Sequence, residues 1–145
     1  MHTDGTFSPE TMAEAREYYE GLGPTAQTVV RETVRAMDFD REEYERRVTS
    51  EVVETARDAL FANLLEVSVG TREEYERWLD GYDGEVLEAG HTAVDHVVWH
   101  AGPDGDAVAA TFQHEEEAAI GTLRRQAFGH LYRDELSSGH KTDNR

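Results

Sequence analysis

The chain has no cysteine and a single lysine, Lys141. Without cysteine there is no disulfide staple and no thiolate metal site. It has only three prolines, and no apolar run approaches a membrane span, which needs about 18 residues. The N-terminal stretch is polar and acidic, so the expectation is no signal peptide and a cytoplasmic protein that does not enter membranes. Phosphate-binding surfaces need basic residues; the formal net charge here is −17, and nucleic acid is not expected as a partner. Several catalytic signatures are also missing. Ser68-Val69-Gly70-Thr71-Arg72 lacks the second glycine and the lysine of a P-loop. No nucleophile elbow and no metalloprotease helix is present.

What is present is acid, spread evenly. Residues 1–64 hold 14 Asp and Glu against 7 Arg, and residues 65–145 hold 17 against 7 Arg and Lys. An even coat solvates a surface, whereas an interaction tail concentrates its charge. In dilute buffer such a surface repels itself. At about 1 M salt the Debye length shrinks to roughly 3 Å and the repulsion is screened. Acidity with almost no lysine therefore predicts adaptation to multi-molar salt. High charge also raises disorder as an alternative, but 38% of the 145 residues are hydrophobic and they recur periodically. The length suits one domain.

Along the chain, residues 1–6 read as loose. Ser8 with Pro9 reads as a helix start, with Phe7 and Met12 at staple spacing. This first helix stops at Gly21-Leu22-Gly23. Pro24 opens a second, with an apolar stripe of Ala26, Val30, Val34 and Met37 widened by Val29. Asp40 with Glu43 opens a short third helix. Ser50 caps a fourth, with Val52, Val53, Ala56, Leu60 and Leu64 facing a core. From Leu65 the pattern changes. Leu65–Val69 alternates as a half-buried strand does. Thr71 with Glu74 is a capping box for a helix through Tyr75, Trp78 and Leu79. A strand is predicted over Glu85–Ala89. Val94–Ala101 and Ala107–Gln113 flank a Gly/Pro/Asp turn as a hairpin would. A last helix runs from Glu115 to about Tyr132, with Gly121 and Gly129 explained by close packing on the sheet. The expectation is α+β: a helical region over 1–64, then strand-helix-strand-strand-strand-helix over 65–133, packed as one unit. The sheet is expected to be mainly antiparallel and covered by helices on one face. The tail 134–145 is expected to be disordered.

Two groups of side chains carry candidate chemistry. Ala118–Arg133 is a 16-residue window without acid and holds Arg124, Arg125, His130 and Arg133. Guanidinium groups suit carboxylate and phosphate, so this is a candidate landing face for an acidic partner or anion. Cations near a helix C-terminus also simply complement its dipole. The second group is histidine. His96 and His100, about 13 Å apart on a strand at ~3.3 Å per residue, cannot share one ion. If residue 100 pairs with 108, His96 and His114 become diagonal neighbours, and Glu115 or Glu116 could complete a metal or acid–base site.

The segments TSEVVETARDALFANLLEVSVGTREEYERWL (49–79) and VAATFQHEEEAAIGTLRRQAFGHLYR (108–133) resemble a small haloarchaeal family of unknown function. That resemblance implies a salt-adapted cytosolic origin. It supplies no activity, cofactor or catalytic residue. Two expectations follow. One is a non-catalytic binding or adaptor protein that takes a protein partner on the arginine face. The other is a small metal-binding protein or enzyme with a histidine site on the 94–114 hairpin. Catalysis and oligomeric state stay open, and no cofactor is implied.

Overall fold

The computed structural model describes residues 1–136. Its elements are β1 (His2–Asp4), α1 (Met12–Gly21), α2 (Gly23–Ala36), α3 (Arg41–Arg47), α4 (Ser50–Leu64), β2 (Val67–Thr71), α5 (Arg72–Asp80), β3 (Glu85–Ala89), β4 (His96–Ala101), β5 (Asp106–Phe112) and α6 (Glu116–Ala127). A π-helical segment, Phe128–Tyr132, and a last turn, α7 (Arg133–Leu136), complete them. The fold is α+β. Its five-stranded sheet has the order β1-β2-β4-β5-β3.

The β4–β5 hairpin pairs His100 with Val108 and His96 with Phe112. The remaining pairs are antiparallel except β3 with β5, which run parallel. The sheet is therefore mixed. Val98 and Val108 face one side, with Val67 and Val69, and join Ile120, Leu123 and Phe128 of the last helix in the main core. α6 packs directly on β4 and β5, α4 packs on α6, and α2 packs on α4. The first helices thus reach the sheet through the last one, with Ala15, Tyr19 and Phe61 buried in the same core.

The opposite face of the sheet is also covered, contrary to the one-sided expectation. Val97, Trp99 and Ala109 pack there against Tyr75, Trp78 and Leu79 of α5. The Tyr75 and Trp99 rings lie 5.2 Å apart and Trp78 and Trp99 5.7 Å apart. β4 is central and buried on both sides, which is why it reads Val-Val-Trp without polar interruption.

Local signals explain most helix ends. Thr71 accepts from the Glu74 amide at 3.2 Å while the Glu74 carboxylate accepts from the Thr71 amide at 2.9 Å, a complete capping box. Asp40 caps α3 as expected. Pro24 lies in the first turn of α2, where its missing N–H costs nothing. Ala26, Val30 and Val34 are buried, but Met37 and Val29 are exposed, so the stripe is narrower than expected.

Five expectations are corrected. Residues 2–4 are not loose. They form an edge strand with exposed side chains, held by backbone pairing to β2, which hydropathy cannot signal. The Met1 ammonium meets Glu74 at 2.8 Å and pulls its carboxyl down to about 2. α1 starts at Thr11, not Ser8. Phe7 is engaged first, its N–H donating to Leu64 O and its carbonyl accepting from the Glu66 N–H, and a residue before proline resists helix. Thr49 rather than Ser50 caps α4, and the buried side of that helix is Phe61 and Ala62, with Val52 exposed. The tail is ordered three residues further than expected, because Leu136 is buried in the core; the expected disorder over 137–145 lies outside the described residues. Gly121 and Gly129 do not mark close packing. A Cβ at either would meet only the guanidinium four residues on, at 3.9 Å.

Candidate functional site

A small cleft of about 110 Å³ opens on the α5 side of the sheet. Its floor is Val97, Ala109 and Ala110, and its rim carries Arg72, Tyr75, Glu88, His91 and Thr111. Three elements place these groups. The capping box fixes Thr71, so Arg72 sits in the first turn of α5. Tyr75 follows three residues on and is 1% exposed, wedged against Trp99. Glu88 and Thr111 come from the parallel pair β3 and β5, and the loop after β3 brings in His91.

Gly90 makes this loop possible. Its φ is +108°, and a Cβ there would lie 1.9 Å from Thr111 Oγ1, so only glycine fits. The loop then closes locally. The His91 N–H donates to Thr111 Oγ1 at 3.1 Å and the Ala93 N–H to His91 Nδ1 at 3.0 Å.

The charges in the cleft are incompletely matched. Arg72 Nη2 donates to the carbonyls of His91 and Val94 at 3.2 and 3.4 Å. Its Nε is buried and has no hydrogen-bond partner. Tyr75 donates its hydroxyl to Glu88 Oε2 at 2.5 Å. Burial, and then the neighbouring Glu88, raise the Tyr75 pKa well above the ordinary tyrosine range, so it stays a donor. Among the described residues neither Arg72 nor Glu88 forms an ion pair.

The sequence-predicted residues lie elsewhere. Arg124 is not part of an open arginine face. Its side chain is 13% exposed, and it donates Nε to Leu65 O at 2.9 Å and Nη2 to Asp4 O and Oδ1 at 3.0 and 3.1 Å. It fastens β1 and the α4–β2 junction to α6. Arg125 stays exposed and donates to Thr122 Oγ1 at 3.3 Å. Arg133 lies over the Phe128 ring at 5.3 Å, and His130 is exposed.

The histidine set divides: His96 and His114 line one groove, while Glu116 and His100 lie apart from it. His96 stacks on Phe112, with ring centres 5.4 Å apart, and lines an open groove with His91 and His114. Glu116 is not with them but 3.0 Å from His2. Among the described residues no group of three or more His, Asp or Glu is placed to hold a metal ion. His100 is buried, with both ring nitrogens bonded inside the protein.

Sequence reasoning missed Arg72, Tyr75, Glu88 and Thr111. The available signals were local: a glycine just after a strand and an arginine inside a capping box. Neither tells which residues a parallel β3–β5 pairing will bring together.

Fold and cleft together define an α+β protein with a mixed sheet between helices and a small polar site on its thinner side. The chain belongs to a family of unknown function, DUF5809, which matches residues 6–133. No curated protein and no solved structure matches it. No helix among the described residues is long and apolar enough to cross a membrane.

Proposed function

We propose that this is a non-catalytic binding protein whose site is the cleft beside α5. The observation that carries this reading is Arg72, which lines the cleft, forms no ion pair among the described residues and leaves its guanidinium only partly hydrogen-bonded. A guanidinium without a carboxylate partner suits a polar ligand that carries one. Nuclear magnetic resonance of the labelled protein in multi-molar KCl, titrated with small polar fragments, tests it. Binders should shift the amides of Arg72 and of residues 88–92. A polar library that leaves those amides unmoved overturns the reading.

The salt-adapted cytoplasmic setting belongs to the same proposal, and its support is the net charge of −17 with one lysine. Circular dichroism should lose helical signal on dialysis from multi-molar KCl into dilute buffer. An unchanged spectrum counts against it.

A second reading keeps the protein partner at the last helix, reduced to Arg125, His130 and Arg133. Its support is that all three are exposed and, among the described residues, outside any ion pair. Arg125→Glu with Arg133→Glu should then abolish capture of an acidic partner while preserving the fold.

A further inference from the structure

We infer that the occupant of this cleft is a small zwitterion, a free α-amino acid with a short aliphatic or hydroxyl side chain. Its carboxylate would lie on Arg72 and its ammonium on Glu88. The inference rests on the proposed role of the cleft as the ligand site.

The argument begins with two opposite charges that share one cavity and do not pair with each other. Arg72 spends one nitrogen, Nη2, on two backbone carbonyls and forms no ion pair among the described residues. A guanidinium that still has donors to give is suited to a carboxylate. Glu88 has accepted one hydrogen bond, from Tyr75, on Oε2. Oε1 carries no hydrogen bond among the described residues, which leaves an acceptor for an ammonium. Tyr75 stands between the two, with the Arg72 guanidinium 5.9 Å from its ring centre. Tyr75 is almost fully buried, so the hydroxyl that donates to Glu88 is held in place by packing.

Charge balance selects among ligand classes. A simple anion would meet Glu88 in the cleft. A simple cation would meet Arg72. A zwitterion satisfies both groups. The α5 amides do not compete for the carboxylate, since the Thr71–Glu74 box already caps that helix end.

Size sets the upper limit. At about 110 Å³ the cleft is below the ~300–1,000 Å³ of drug-sized sites. The apolar side chains of Val97 and Ala109 on the cleft floor suit a methyl or hydroxymethyl group.

The test compares a zwitterion with its two halves. Glycine, L-alanine, L-serine, propionate and ethylammonium are titrated separately into the intact protein in multi-molar KCl, with the amides of Arg72 and residues 88–92 as the readout. At least one of the three amino acids should bind about tenfold or more tightly than propionate or ethylammonium, the ratio expected from one added charged hydrogen bond. Glu88→Gln, which can still accept from Tyr75, should erase that preference and bring propionate level with the amino acid. Arg72→Gln should weaken amino acid and propionate alike. If that variant does not fold, Arg72→Lys keeps the charge without the guanidinium fork and should weaken both in the same direction. Propionate equal to the amino acids in the unaltered protein, or all three amino acids silent while another fragment binds, overturns the zwitterion and leaves the cleft as a ligand site. Silence of these five probes and of the wider fragment library at the cleft amides overturns both.

Discussion

His100 and Tyr132 form a buried hydrogen-bonded pair, with Nε2 and the phenol oxygen 2.7 Å apart. The other ring nitrogen, Nδ1, is 2.6 Å from Glu66 O. A carbonyl only accepts, so Nδ1 carries the proton and Nε2 accepts from the Tyr132 hydroxyl. One imidazole thus joins β4, the residue before β2 and the π-helical segment. Tyr132→Phe leaves Nε2 buried without a donor, and the expected cost is about 1–3 kcal/mol. Chemical denaturation measures it, and a variant as stable as the parent would show that the pair contributes nothing.

The same pair sets a pH dependence. Burial, the largest influence, pushes the His100 pKa down. The folded protein therefore holds His100 neutral, while the unfolded chain binds its proton near the ordinary value of ~6.5. Stability from this group is full above that value, begins to fall as pH drops below it, and is lost once pH passes under the folded value. The His100 ring resonance should titrate below the ordinary imidazole value of ~6.5, and a midpoint at or above that value would contradict this.

Arg124 acts as a fastener. Arg124→Ala should cost about 2 kcal/mol, taking ~1.5–3 for hydrogen bonds from a charged donor and discounting for partial exposure. Hydrogen exchange should show the β1 amides losing protection before those of β4. Unchanged protection in β1 would mean that strand pairing alone holds it.

Gly121 is a place to gain stability. It lies inside α6, where a Cβ would meet only the Arg125 guanidinium at 3.9 Å, so Gly121→Ala should raise stability by about 0.5–1 kcal/mol. A thermal melt gives the sign directly, and a lowered midpoint would reveal packing not visible at this position. Gly90→Ala should do the opposite, since its φ of +108° and the nearness of Thr111 leave no room.

The sequence by itself determined those features that rest on neighbours within a few residues. The Thr71–Glu74 capping box, the Asp40 cap, Pro24 in the first turn of α2, the place of β3 and the presence of the β4–β5 hairpin are all local, and all were legible; the pairing of His100 with Val108 was only a condition until the structure fixed it. The acid coat is a composition and needs no fold to be read. Only the tertiary structure decided the rest, because it depends on pairing across long separations. An exposed strand such as β1 has no hydropathy pattern, so its place on β2 could not be read. The arginine window was visible, but that Arg124 reaches Asp4 and Leu65 was not. The parallel β3–β5 register decided that Glu88 and Thr111 would meet Arg72 and Tyr75 around one cavity. Backbone pairing between distant strands fixes such meetings, and no local spacing in the chain encodes them.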